Sequence, residues 1–253
     1  MTIVLVHGNP ETDAIWDPLR SALGRDDIVA LSPPGFGAPV PDGFGATSDE
    51  YLAWLITELE SLLASGQGPI DLVGHDWGGG HVQRLAATRP DLIRSWATDI
   101  AGTNDPEYVW HDMALLWQQP GVGEEVVAGM AASPQADLVA GFVALGMTEA
   151  AAASCATAAG GPDMGRCILA LYRSAAQPKM TEWGKELEAA ERRPGLVIIA
   201  TDDHYTGGEG MARRSAARFG AQVALLADLG HWWMLQDPAR GAEALNAFFA
   251  TLD

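Results

Sequence analysis

The sequence predicts an α/β protein with a parallel sheet of about six strands, helices on both faces of the sheet and an all-helical insertion. Short apolar runs rich in β-branched residues recur along the 253-residue chain, with helical segments between them. Strands that alternate with helices are joined by right-handed crossovers and therefore lie parallel. The expected strands are residues 2–6, 27–31, 70–73, 95–99, 196–200 and 222–226.

The first expected strand, residues 2–6, runs directly into the turn His7-Gly8-Asn9-Pro10. In an enzyme with a nucleophile elbow, the loop after this strand supplies a backbone N–H to the oxyanion hole. That donor would be the N–H of Asn9, paired with the N–H of Trp77. An ordinary exit from a strand is the alternative, because Gly-Asn-Pro is a common turn sequence.

The third expected strand precedes the most informative motif of the chain, Gly74-His75-Asp76-Trp77-Gly78. Residues 78–88 carry apolar side chains at helical spacing and end before Pro90, so the motif joins a strand to a helix. This is the context of a nucleophile elbow, whose flanking glycines permit a strained turn. Asp76 would be ionised at neutral pH and suited to attack an sp3 carbon. The alternative is an aspartate that merely caps the helix.

The last two expected strands precede candidates for an acid and a base. Asp202 and Asp203 follow residues 196–200, and His231 follows residues 222–226. The order nucleophile, acid, base is that of an elbow enzyme, with Asp203 orienting the imidazole of His231. Asp202 is an alternative acid, and solvated acids are equally common in such turns.

Between the fourth and fifth strands the strand pattern disappears. The region 102–193 is predicted to be an all-helical insertion, and residues 1–101 and 194–253 to form the core domain. Glycine and proline separate the expected helices. These helices are Pro106–Gln119, Gly123–Ala132, Pro134–Leu145, Thr148–Ala158 and Pro162–Ala176.

Taken together, these motifs resemble the α/β-hydrolase family, in particular its epoxide hydrolases and its haloalkane and haloacetate dehalogenases, which use an aspartate nucleophile. The resemblance rests on five features, which are the turn after the first strand, Trp16, the loop Ser32–Gly37, the elbow and Gly230-His231-Trp232. It implies a helical cap that excludes water from the elbow. It also implies that the first two strands of the family sheet are absent here. The strand 27–31 would then be an edge, which makes a homodimer a possible assembly.

The resemblance favours Asp203 as the acid, although some family members carry it after the preceding strand, near Asp99. It also implies that Tyr172 donates a hydrogen bond to an epoxide oxygen, together with His111 or, as the competing candidate, Tyr108. Such a donor assists an alkoxide leaving group, whereas a halide needs none.

Trp110 stands beside these donors as a further candidate substrate contact. Because the donors near Tyr172 would assist an alkoxide leaving group, epoxide opening is the favoured reaction. Haloalkane cleavage is the main alternative, because Asn9 and Trp77 resemble a halide-binding pair. A haloacetate dehalogenase fits less well, because Trp77 and Gly80 occupy the places of its arginines.

Composition narrows the class of function. The formal net charge is −18, from 15 basic and 33 acidic residues, which disfavours nucleic acid and anionic membranes as partners. No Cys/His cluster suggests a metal and no cofactor motif is evident. The two cysteines are expected to be free thiols in a cytoplasmic enzyme. A small apolar epoxide or organohalide is the expected substrate; a non-catalytic binding protein would need a broken triad, and none is found.

Overall fold

The computed structural model describes residues 1–252, and they form a six-stranded sheet in which every paired strand is parallel. Its strand order is β2-β1-β3-β4-β5-β6. Each strand lies within one residue of its predicted bounds, so the predicted α/β class is confirmed. The strands are β1 (Thr2–Val6), β2 (Ile28–Leu31), β3 (Ile70–Gly74), β4 (Ser95–Thr98), β5 (Gly195–Ala200) and β6 (Gln222–Leu226).

Helices connect the strands and six of them lie between β4 and β5. In chain order the α-helices are α1 (Asp17–Leu23), α2 (Ser48–Ala64), α3 (Trp77–Thr88), α4 (Asp112–Gln118), α5 (Val122–Ala132), α6 (Gln135–Ala144), α7 (Glu149–Ala159), α8 (Met164–Ser174), α9 (Lys179–Ala189), α10 (Gly208–Phe219), α11 (Trp233–Gln236) and α12 (Pro238–Phe249). Across the described residues no single helix is long and apolar enough to cross a membrane. The bent pair α5 and α6 passes that test of length and composition only when taken together.

The helical insertion differs from its prediction at both ends. The first of its helices was expected to begin at Pro106, but α4 begins at Asp112, because the side chain of His111 caps its first turn. The helix α9 was not predicted. Its buried residues Met180, Trp183 and Leu187 recur at helical spacing, and α9 packs against α3.

Two hydrophobic layers cover the two faces of the sheet. Ile3 and Leu5 belong to one layer, while Val4 and Val6 belong to the other, because successive side chains of a strand point to opposite faces. The first layer continues without a break into α7 and α8 of the insertion. The two cysteines, in α7 and α8, are buried and free.

The sheet topology determines where a site can form. The chain passes from β1 outward to β2 and then returns to β3 on the other side of β1, so the direction of winding reverses there. Ligands of such sheets bind outside the carboxyl ends of the strands at this point of reversal. The strand β2 is an edge of the sheet, as predicted.

Candidate active site

The turn between β3 and α3 holds Asp76 in a strained backbone conformation. Its φ of 50° and ψ of −129° lie outside the regions that L-residues ordinarily adopt. The turn also requires close approach of the backbone. A Cβ atom on Gly78 would lie 2.0 Å from the carbonyl oxygen of Val6, and one on Gly8 would lie 2.1 Å from Oδ1 of Asp76. Glycine at these two positions lets the loop after β1 meet the elbow.

The two carboxylate oxygens of Asp76 face different groups. The backbone N–H of Asn9 donates to Oδ1 at 3.0 Å. Oδ2 lies 3.7 Å from Nε2 of His231 and the side chain of Asp76 is 18% exposed. Burial raises the pKa of Asp76 to about 6, against the opposing effect of the charge of His231. The carboxylate is thus ionised at neutral pH and faces the cavity.

His231 is held by Asp203 on the side of the ring away from Asp76. The distance from Nδ1 of His231 to Oδ2 of Asp203 is 2.8 Å, and the second carboxylate oxygen accepts from the N–H of Tyr205 at 2.8 Å. Burial opposes ionisation of Asp203, but His231 outweighs it and lowers the pKa of the carboxyl. Burial disfavours the charged form of His231, but the charge of Asp203 outweighs burial and raises the pKa of His231.

The two alternative acids lie elsewhere. The carboxylate of Asp202 is exposed and accepts a hydrogen bond from the hydroxyl of Thr201 at 3.2 Å. Asp99 is buried, and its Oδ2 lies 2.5 Å from Nδ1 of His75 rather than beside His231. The arrangement around His231 therefore favours Asp203 among the three candidates.

A buried ion network lies directly beneath the elbow, and sequence reasoning missed it. His75 lies between two carboxylates, with Nδ1 2.5 Å from Asp99 and Nε2 3.1 Å from Glu11. Burial disfavours a charged ring, but Asp99 and Glu11 outweigh burial and raise the pKa of His75 well above its ordinary value. Burial also disfavours the ionised form of Glu11, yet His75 outweighs it and lowers the pKa of Glu11 to about 2. The network thus holds an imidazolium between two carboxylates.

The remaining acceptor capacity of the two carboxylates is used by neighbouring loops. Glu11 accepts from the N–H of Gly8 at 3.0 Å and from the indole N–H of Trp232 at 2.5 Å. Asp99 accepts from the indole N–H of Trp233 at 2.7 Å and from the N–H of Asp76 at 3.2 Å. Buried carboxylates are stable only when they are paired and hydrogen-bonded, and these two are both.

Potential ligand atoms of Glu11, His75 and His231 lie within 4.8 Å of one another, which is a spacing that could hold a metal ion. Both ring nitrogens of His75 already face carboxylates, and Nδ1 of His231 faces Asp203. A cation would have to displace these hydrogen bonds and the proton that His75 carries. The donor set therefore fits an ion network better than a metal centre.

Above Asp76 the structure places the three hydrogen-bond donors that the sequence suggested. The hydroxyl of Tyr108 is already used, because it donates to the carbonyl oxygen of Tyr205 at 2.9 Å. Nδ1 of His111 accepts from the N–H of Ala114 at 3.3 Å, and burial lowers the pKa of His111. The neutral ring therefore carries its proton on Nε2 and can donate from there.

Tyr172 is the second available donor. Its side chain is buried, and its ring lies 5.2 Å from that of Trp77. Burial and the charge of Asp76 raise the pKa of Tyr172 well above its ordinary value, while Trp77 and Asn9 act in the opposite direction. The hydroxyl is therefore protonated at every physiological pH and lies beside the side chains of Trp77 and Asn9.

The side-chain amide of Asn9 is unusual for a buried group. Among the described residues neither its nitrogen nor its oxygen makes a hydrogen bond of regular geometry, although both atoms are buried and the hydroxyl of Tyr172 lies close enough to interact with the amide. Burying such a group without a partner costs about 1–3 kcal/mol, and the amide lines the same cavity as Asp76 and His231. Trp110 stacks on Trp77 with ring centroids 5.9 Å apart and forms part of the wall beside Asp76.

Comparison with known proteins places these features in a family. The profile described as "Alpha/beta hydrolase family" matches residues 3–244. Lipase LipV of Mycobacterium tuberculosis is 33% identical over 97 residues, which are 36% of this chain and 33% of that protein. An epoxide hydrolase of Caballeronia sordidicola is 31% identical over 102 residues, 37% of this chain and 29% of that protein. The chain spans about a third of the length of the curated relatives it matches.

Solved structures are similar over almost the whole chain. A loop variant of the haloalkane dehalogenase DbeA from Bradyrhizobium elkanii superposes with a TM-score of 0.76 at 18% identity, covering 99% of this chain and 89% of that one. Cfl2 from Burkholderia cenocepacia superposes with a TM-score of 0.79 at 21% identity, covering 98% and 87%. At such identities the likeness establishes the fold.

Proposed function

The chain belongs to the α/β-hydrolase family, and from the geometry of its elbow we propose that it opens an epoxide to a vicinal diol through an ester on Asp76. One observation carries this proposal. The Asp76 carboxylate has one oxygen on the N–H of Asn9 and the other 3.7 Å from His231, and two free donors, on Tyr172 and His111, line the same cavity.

In the first step Oδ2 of Asp76 attacks an epoxide carbon and the C–O bond to the ring oxygen breaks. The hydroxyl of Tyr172 and Nε2–H of His111 hydrogen-bond to the ring oxygen as negative charge develops on it. One of them supplies the proton that makes it a hydroxyl group. Helices α4 to α9, within region 102–193, act as the cap that keeps bulk water away from this step.

In the second step His231 takes a proton from a water molecule, which attacks Cγ of the Asp76 ester. The negative charge that develops on Oδ1 is stabilised by the N–H of Asn9, with the N–H of Trp77 as the second donor. Collapse of this intermediate breaks the bond between Cγ and the ester oxygen, and the departing alkoxide takes the proton from His231. The diol is released, an oxygen atom from water stays in the carboxylate, and the second proton of that water returns to the donor that lost its own in the first step. Asp203 stabilises the imidazolium form of His231.

The ester is tested by the fate of that oxygen atom. In a single turnover in H2¹⁸O, with enzyme in excess over an epoxide, we expect the label in the peptide that contains Asp76 and not in the diol. Asp76→Asn should abolish diol formation while the far-UV spectrum is unchanged. Label in the diol during the first turnover would show direct attack by water and would overturn the ester mechanism.

Haloalkane cleavage is the second candidate, and the unpartnered amide of Asn9 favours it. The amide N–H of Asn9 and the indole N–H of Trp77 would bind the departing halide, while Asp76 and His231 keep their roles. Tyr172 and His111 would then have no proton to supply.

One pair of variants separates the two reactions. A hydrogen bond to a charged group is worth about 1.5–3 kcal/mol, so Tyr172→Phe should slow epoxide opening at least tenfold. If the protein instead cleaves haloalkanes, Asn9→Ala should reduce halide release and Tyr172→Phe should have little effect on it. A panel of epoxides and haloalkanes, with diol and halide measured in parallel, gives the comparison. Should neither variant matter for any substrate, both assignments of the leaving group are wrong.

A further inference from the structure

Two cavities of very different size meet at Asp76. The larger has a volume of about 350 Å³ and the smaller only about 20 Å³. Asp76, His111 and Tyr172 line both of them. A space of 20 Å³ holds about one water molecule, because a single water needs roughly 10–15 Å³. A substrate held between the nucleophile and the donors therefore meets a wide cavity on one side and a very narrow one on the other.

The wall of the small cavity is packed too tightly to yield easily. Trp110 lies between Trp77 and Tyr108, with ring centroids 5.9 and 5.4 Å away, and all three side chains are buried. Tyr108 is fixed by its hydrogen bond to the Tyr205 carbonyl, and Met180 closes the wall from α9. Inserting extra methylene groups into such packing displaces rings from their preferred rotamers. A group larger than methyl is thus excluded on this side.

The large cavity has the opposite character. Its walls are apolar and come from α4, α5 and α6, and they include Trp117, Val126, Met130 and Phe142. No lysine or arginine among the described residues lines it, so an anionic tail on the substrate would find no counter-ion. Leu145 lies at its rim and is 53% exposed, which marks the side on which the cavity opens to solvent. A long apolar arm can be accommodated here.

From this asymmetry we propose that the protein selects uncharged substrates with one long, unbranched apolar arm and nothing larger than methyl on the other side of the reacting carbons. This selectivity rests on the proposed reaction at Asp76 and adds the shape of its substrate. Terminal epoxides with an alkyl chain meet the requirement, and internal epoxides with two long arms do not. Each additional methylene in the long arm should raise kcat/KM about fourfold until the cavity is filled.

Three isomers test the shape without changing the overall hydrophobicity of the substrate. They are 1,2-epoxyoctane, 2,3-epoxyoctane and 4,5-epoxyoctane, whose short arms are hydrogen, methyl and propyl. We expect kcat/KM to fall about fourfold from the first to the second, because the long arm loses one methylene, and at least a hundredfold from the first to the third, because the long arm loses three and the small cavity excludes propyl. Equal values for all three would overturn the proposal. The same test applies to 1-, 2- and 4-bromooctane, with halide release as the readout.

Variants locate the selectivity. Met180→Ala enlarges the small cavity, so the rate ratio of 4,5- to 1,2-epoxyoctane should rise at least fivefold. Ile100→Val, a smaller change in the same wall, should shift the ratio in the same direction if Met180→Ala does not fold. Met164→Ala is the matched control, since Met164 is equally buried on α8 but lines neither cavity. A control that shifts the ratio as far as Met180→Ala would contradict the assignment.

A binding measurement distinguishes an error in the proposed substrate shape from an error in the proposed reaction. Trp77 and Trp117 line the cavities, so occupancy should change the tryptophan fluorescence of the protein. We expect 1,2-octanediol to bind at least tenfold more tightly than 4,5-octanediol. If no epoxide or haloalkane reacts but this preference holds, the proposed reaction is wrong and the shape is right. If the two diols bind equally or neither binds, the proposed shape is wrong.

Discussion

Removing the buried positive charge of His75 should destabilise the protein more than any surface substitution. His75→Gln is close in size and keeps an amide donor, but it leaves the carboxylates of Glu11 and Asp99 without a counter-charge. Removing one partner from a buried ion pair costs about 3–5 kcal/mol. That is a large fraction of the roughly 5–15 kcal/mol by which domains are stable. For a protein of this size it corresponds to a fall in Tm of roughly 6–20 °C.

Urea denaturation at pH 7, followed by circular dichroism, measures this loss. The control is Arg213→Gln, which breaks the pair between Arg213 and Glu209 on the exposed surface of α10 at 2.6 Å. Exposed pairs of this kind contribute little, so the control midpoint should be unchanged. A midpoint for His75→Gln that matches the control would refute the reasoning.

The pH dependence of stability gives a second test of the same network. The pKa of Glu11 is lowered to about 2, so its contribution is complete above about pH 4.5 and is lost as the pH falls towards 2. The pKa of His75 is raised, so its contribution is complete below about pH 6.5 and is lost as the pH rises through the folded-state pKa. In His75→Gln the carboxylate of Glu11 loses the charge that lowers its pKa and binds a proton more readily. The stability difference between the two proteins should therefore shrink on acidification, and a constant difference from pH 3 to 8 would contradict this.

Three further predictions concern the acid, the elbow and the pH dependence of turnover. Asp203→Asn should lower kcat by orders of magnitude because His231 loses its partner, whereas Asp202→Asn should leave kcat unchanged; equal effects would contradict the assignment. Gly78→Ala should prevent cooperative folding, because its Cβ would lie 2.0 Å from a backbone oxygen. Gly129→Ala is the control, because the space around its Cβ is open, and it should raise the free energy of unfolding by about 0.4–1 kcal/mol. Thermal denaturation followed by circular dichroism measures both variants. Turnover should rise with pH as Asp76 loses its proton near pH 6 and as His231, whose pKa is raised, loses its own at higher pH, since both act deprotonated. A flat profile from pH 5 to 8 would be inconsistent with these roles.

The sheet and the elbow could be predicted because their signals are local. Each strand is a short apolar run, and the elbow has its glycines within two residues of Asp76. The helix α9 was missed although its apolar residues have helical spacing, because several polar side chains interrupt the run. His111 and Tyr108 could not be separated from the sequence as the donor that accompanies Tyr172, since only the folded chain brings the Tyr205 carbonyl to Tyr108.

The sequence pattern at the strand ends also could not decide which aspartate contacts His231. Asp99 and Asp203 both follow a strand, and each does meet an imidazole. Which imidazole it meets depends on contacts between distant parts of the chain, because Asp99 and His75 are 24 positions apart and Asp203 and His231 are 28 positions apart. Sequence reasoning considered one histidine partner for both acids, whereas the structure contains two.

The ion network beneath the elbow explains how loops from separate strands can hold one geometry. Glu11 follows β1, His75 follows β3, Asp99 follows β4, and Trp232, which donates to Glu11, follows β6. Asp76 and Trp77 lie within two residues of His75, Asn9 lies two residues before Glu11, and His231 precedes Trp232. Asp203, Tyr172 and His111 are the proposed groups that lie farther from the network along the chain. Catalytic geometry must be held to a fraction of an ångström by supporting contacts. Because the network is buried and hydrogen-bonded, it can hold Asp76, the N–H of Asn9 and His231 in a fixed relative geometry.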